Sequence, residues 1–119
     1  MRDPRGPVHR GTAEHYVWGD ACDGWILRPG NDLLIIEERM PPGAREERHV
    51  HARAEQFFYV LSGTLSLEMD GVLHPVGPGM GMAVPTGAAH QARNDGDADV
   101  VFLVVSAPTS RGDRQSAPR

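Results

Sequence analysis

His49-Val50-His51 is the first segment of this sequence whose residue types and spacing could do chemistry. Side chains on a β-strand alternate between faces, so both imidazoles point the same way. Two imidazoles aimed into one space can take adjacent positions on a metal, and imidazole suits Zn, Fe, Ni, Cu and also Mn. A His-x-His pair alone arises often by chance, so the neighbourhood matters. Gly43 precedes His49, Gln56 follows His51, and Gly63 follows Gln56. Further on come Gly79, Pro85, Gly87, His90 and Asn94. Pro85 and Gly87 read as a turn that delivers His90 inward, and Asn94 as a turn residue bonding its own backbone. His9, His15 and His74 receive no role.

The elements that must hold these residues are short strands. Apolar runs at Gly24–Leu27, Leu33–Ile36 and Phe57–Leu61 each stop at glycine or proline signals. Residues 64–69 alternate apolar and polar, a half-buried strand. Asp70-Gly71 predicts a two-residue type I′ hairpin turn, with Val72–Val76 returning. Met80–Val84 is another short run, and Val100–Val105 reads as a buried strand. Gly and Pro number 14 and 10, and so much turn chemistry in a short chain predicts an all-β sandwich or barrel of eight to ten strands. Residues 1–11 and 107–119 are polar and aperiodic and are expected to be a loose N-terminal segment and a flexible C-terminal tail around one domain at 12–106. Arg111-Gly112-Asp113 within that tail reads as a coincidental tripeptide.

The chain has 119 residues with a net charge of −4, one domain's worth of globular protein. A duplex-binding face needs surplus Lys and Arg, so nucleic acid is not an expected partner. No apolar run approaches the ~20 residues that span a bilayer, and the first seven residues show no leader-like apolar stretch. The single cysteine, Cys22, excludes an internal disulfide and a Cys-based zinc cage and fits a cytoplasmic setting.

Taken together, the glycines, proline, histidines and asparagine resemble the two motifs of the cupin superfamily. The first motif is Gly-x5-His-x-His-x3–4-Glu-x6-Gly and runs here from Gly43 to Gly63. The second is Gly-x5-Pro-x-Gly-x2-His-x3-Asn and runs from Gly79 to Asn94. The resemblance covers roughly residues 30–105 and implies a double-stranded β-helix, or jelly-roll barrel, of two antiparallel sheets. It implies a divalent metal inside the barrel (Fe, Mn, Ni or Zn) held by His49, His51 and His90. The departure is at the family's carboxylate. Counting back from Gly63 gives Gln56 as the fourth ligand position, whereas counting from His51 also allows Glu55. The two point to opposite faces of a strand, so only one reaches the metal, and the regular strand before Gly63 favours Gln56. Phe58, Val60 and Met82 are expected to line the cavity. Glu55 is a candidate catalytic base. Phe57, Tyr59 and Leu61 face outward, compatible with the homodimer the resemblance implies. A neutral Gln leaves the full charge on the ion and favours a small, oxygen-bearing, anionic organic ligand. The expected function is a metal-dependent enzyme of dioxygenase, isomerase or polyketide-cyclase type. The alternative is a non-catalytic module that binds a small ligand or metal.

Overall fold

The computed structural model describes residues 6–118; part of the N-terminal segment, residues 1–5, and residue 119 lie outside the described residues. Eleven strands form among the described residues: β1 Glu14–Trp18, β2 Cys22–Arg28, β3 Leu34–Met40, β4 His49–His51, β5 Glu55–Ser62, β6 Leu65–Met69, β7 Val72–Val76, β8 Gly81–Val84, β9 His90–Arg93, β10 Val100–Ala107 and β11 Arg114–Ser116. One sheet has the order β1-β2-β3-β10-β5-β8 and the other β11-β4-β9-β6-β7. Every pairing is antiparallel. No helix among the described residues is long and apolar enough to cross a membrane.

The period-two pattern explains why the sheets close on one core. Along β5, Gln56, Phe58 and Val60 are buried while Glu55, Phe57, Tyr59 and Leu61 are exposed. Along β10, Val100, Phe102, Val104 and Ser106 are buried, and the alternate residues are half-buried. The apolar run at 100–105 is therefore a central strand with one fully buried face, packed between β3 and β5. Leu65, Leu67, Val76 and Ala92 of the second sheet join Phe58, Val60, Val84 and Phe102 of the first in a single cluster. The hairpin joining β6 and β7 turns at Asp70 and Gly71 with φ of 51° and 88°, both left-handed as a type I′ turn requires.

Two sequence expectations need correction. Met80 lies outside β8 and is exposed, because the strand begins at Gly81 and its inward residues are Met82 and Val84. The C-terminal segment is not a loose tail. Arg114, Gln115 and Ser116 pair with His51, Val50 and His49, adding an edge strand beside the histidines. Upstream, Arg10 pairs with Glu37 and covers Trp25 at 4.0 Å, which fastens residues just before β1 to the outer face of the first sheet.

Phe102, fully buried and ring-stacked with Phe58 at 6.0 Å, carries a large share of the core. Phe102→Ala is expected to destabilise the metal-free protein by ~3–5 kcal/mol in urea unfolding. Leu73→Ala on the exposed face of β7 should stay within about 0.5 kcal/mol.

Candidate metal centre

His49 and His51 sit one pleat apart on β4, and His90 opens β9 as the direct cross-strand partner of His49. Alternation therefore accounts for one pair and strand register for the third ring. Their candidate ligand atoms all lie within 4.8 Å of one another. All three side chains are buried, His90 completely.

Each ring is held from behind by a backbone carbonyl. His49 Nδ1 lies 2.7 Å from the Glu47 oxygen, His51 Nδ1 2.8 Å from that of Asp113, and His90 Nδ1 2.9 Å from that of Ala88. A carbonyl only accepts, so in the neutral ring the proton sits on Nδ1 and the lone pair on Nε2. The Nε2 atoms of His51 and His90 are buried with no partner. So is Oε1 of Gln56, whose Nε2 donates to Ser106 Oγ at 2.9 Å. Leaving a buried acceptor unsatisfied costs roughly 1–3 kcal/mol. Several such acceptors, all lone-pair donors and none a hydrogen-bond donor, fit a cation. Burial pushes His49 from 6.5 down to about 3, and it lowers His90 as well, so both rings are neutral in the ligating form at neutral pH.

Gln56 lines the same cavity as His49 and His51, whereas Glu55 is exposed and opens onto the outer surface beside Phe57 and Ala83. Glu55 thus sits one residue out of phase with the cavity, which removes it as a base acting there. Phe58 lines the cavity. Val60 and Met82 lie deeper, in and against the apolar core.

The cavity has a volume of about 450 Å³, within the range of small-molecule sites. Its apolar wall is Leu34, Ile36, Phe58 and Val104. Opposite chemistry comes from residues that sequence reasoning missed. Glu38 continues the inward phase of Leu34 and Ile36 on β3, a signal that period-two counting could have found. Tyr16, Gly24 and Glu38 stand in one row across β1, β2 and β3. A Cβ on Gly24 would meet the Tyr16 ring at 2.2 Å, so only glycine there lets the phenol lie across the strand. Its hydroxyl then donates to Glu38 Oε2 at 3.3 Å. Glu46 belongs to a charged run that reads as a solvated loop, yet it turns inward. Its Oε1 accepts from the Ala92 N–H at 2.9 Å and lies 4.0 Å from His49 Nδ1. Burial, with the charge of Glu46 adding to it, pushes Glu38 from 4.5 up to about 8, and burial pushes Glu46 up to about 7. Arg111, Gly112 and Arg114 of the C-terminal segment complete the rim. Asn94 does bond backbone as expected, donating to the carbonyls of Met40 and Ala98 and accepting from Gly96 N–H.

The family model for the cupin domain matches residues 36–106. The chain is a cupin. Among proteins it resembles, polyketide synthase CurC of Streptomyces cyaneus is 37% identical over 69 residues, 58% of this chain and 45% of that protein. The cupin spans about half the length of the curated relatives it matches. A cupin-superfamily sugar phosphate isomerase from Silicibacter pomeroyi superposes with a TM-score of 0.78 at 28% identity, over 87% of this chain and 76% of its own. The polyketide cyclase RemF of Streptomyces resistomycificus superposes with a TM-score of 0.81 at 22% identity, over 96% and 86%, a likeness of fold.

The inverted ionisation of the cavity predicts a pH profile for the metal-free protein. Glu38 and Glu46 ionise near 4.5 when unfolded but only near 8 and 7 when folded, so their contribution to stability is full below 4.5 and lost as pH rises through 7–8. His49 works the other way: its contribution is full above 6.5 and lost as pH falls toward 3. Between about 4.5 and 6.5 the two trends oppose each other; the melting temperature should therefore fall as pH rises from about 6.5 to 8, where only the carboxyls still change, and fall again on acidification below 4.5, where only His49 does. In Glu38→Gln the alkaline fall should shrink; a fall as steep as wild type would show that Glu38 is ionised in the fold.

Proposed function

We propose that this cupin is a metal-dependent enzyme that moves protons on a small, oxygen-rich, anionic substrate, an isomerisation or cyclisation of the polyketide-cyclase kind. The observation that carries this reading is that Glu38 and Glu46, carboxyls poised near neutral pH, line one cavity with His49, His51 and Gln56, and that His90 completes the histidine cluster. The relatives named as a polyketide synthase, a polyketide cyclase and a sugar phosphate isomerase support the same class.

His49, His51 and His90 would hold the ion through Nε2, with Gln56 Oε1 as the fourth donor. A divalent ion there, carrying its full charge because every donor is neutral, supplies Lewis-acid stabilisation of a negatively charged substrate oxygen. Glu38 keeps a proton at its carboxyl up to about pH 8 and is placed to give it to a carbanion or oxyanion. Tyr16 orients that carboxyl through its hydroxyl. Glu46, near 7, exchanges a proton in either direction at neutral pH. Leu34, Ile36, Phe58 and Val104 offer an apolar wall that excludes water from a carbon skeleton. Arg111 and Arg114 attract an anionic group to the mouth.

Elemental analysis of protein purified without added metal should find close to one divalent ion per chain. His49→Ala, His51→Ala and His90→Ala should each lose most of it. Gln56→Glu should retain it more tightly, because a carboxylate offsets charge that an amide does not. Metal below stoichiometry that reconstitution does not restore would remove the metal reading.

With a poly-β-ketone as substrate, Glu38→Gln should lower kcat by roughly 10²–10⁴-fold while metal content stays at the wild-type level. If wild type shows a ligand-induced thermal shift with poly-β-ketones and sugar phosphates but turns neither over, the protein is a binding module.

A further inference from the structure

The strand that carries two of the three histidines is weakly held from within the barrel. β4 has three residues, and its ladder to β9 is the single pair His49–His90. On its other edge all three residues pair with β11. This second ladder comes from the far end of the chain and is fastened at both ends. At its start, the Asp113 carboxylate accepts from the N–H groups of Ala52 at 3.1 Å and of Arg53 and Ala54 at 2.9 Å. Those three residues form the turn that leads from His51 to β5 and Gln56. The carbonyl of the same Asp113 accepts from His51 Nδ1. At its end, Ala117 N–H donates to the Arg48 carbonyl at 2.9 Å, and the Arg48 guanidinium donates back to the Ala117 carbonyl at 2.8 Å. Arg48 is itself clamped by buried Glu68 at 2.7 Å.

We infer that Asp113 is a positioning residue of the metal centre: it anchors a strap, residues 113–117, that holds His51 as a ligand, so that strap docking and metal binding are coupled. This rests on the metal reading of the histidine cluster. One residue acts through two groups. Its carbonyl sets the His51 tautomer and ring direction, and its carboxylate fixes the turn between His51 and Gln56. Replacing the carboxylate leaves the carbonyl in the chain but frees the strap that aims it. Coupling is reciprocal, so a metal that gains from a docked strap must also stabilise the docked strap.

The test uses the full chain and Zn(II) alone, with affinity read by competition against a fluorescent chelator. Asp113→Ala should weaken Zn(II) by about 10–100-fold, the usual effect of losing an outer partner of a ligand. Asp113→Asn keeps one acceptor oxygen and should fall between Asp113→Ala and wild type, a graded rescue that a general loss of charge would not produce. Asp97→Ala, the same charge change in an exposed loop, should leave affinity as in wild type. In wild type, amide exchange over residues 113–117 should slow on adding Zn(II), and this measurement decides even if Asp113→Ala does not fold. Zn(II) affinity in a folded Asp113→Ala equal to wild type, or exchange over 113–117 indifferent to Zn(II), overturns the coupling alone. A wild-type chain that takes up no Zn(II) overturns the metal reading, and the coupling with it.

Discussion

Three backbone carbonyls, those of Glu47, Ala88 and Asp113, decide what the histidine cluster can do. Each accepts a hydrogen bond from the Nδ1–H of one ring and thereby leaves Nε2 as that ring's lone-pair atom. An imidazole free to choose its tautomer would share a proton with a neighbour and form a hydrogen-bonded pair. Rings fixed this way are acceptors only, packed with centroids 4.4–5.6 Å apart. That arrangement is unfavourable by itself and becomes favourable when a cation sits among the lone pairs.

The same barrel must provide both this polar cluster and the apolar core that keeps it rigid. It does so by position along the strands. On β5 the inward series runs from Gln56 to Phe58 to Val60, from the polar end of the cavity to its apolar wall to the core. On β10 it runs from Ser106, which orients Gln56, to Val104 and Phe102. On β3 it runs from Leu34 and Ile36 to Glu38. A site built on paired strands inherits the stiffness of its ladders, and β4 takes most of its pairing from β11.

Charge balance inside the cavity is set by desolvation. The carboxyls of Glu38 and Glu46 and the imidazoles of His49 and His90 are all pushed toward their neutral forms. Positive charge comes instead from Arg111 and Arg114 at the rim. Buried carboxyls held toward their neutral forms, with two arginines against one exposed glutamate, Glu14, among the cavity's other charged residues, suit an anionic ligand and leave protons on groups that can release them near neutral pH. The cupin fold accommodates many chemistries, and in this chain it is these groups, more than the barrel, that argue for proton transfer.

What the sequence determined by itself was whatever depends on local period and turn chemistry. The His49–His51 pair, the hairpin at Asp70-Gly71 and the alternation of β5 and β6 follow from spacing alone. The choice of Gln56 over Glu55 was legible too, because a regular strand before Gly63 leaves one parity for the cavity face. The tertiary structure alone decided which distant residues close the site. Glu46 lies in a charged loop with no period, and its burial depends on β9 supplying the Ala92 N–H. The polar segment after Ala107 carries no apolar pattern, so nothing local announces a strand. Its order comes from backbone hydrogen bonds to β4 and from one carboxylate 62 residues along the chain from the histidine beside it. Main-chain pairing of this kind is nearly independent of side-chain type, and for that reason it leaves no trace in the sequence until the fold brings the two segments together.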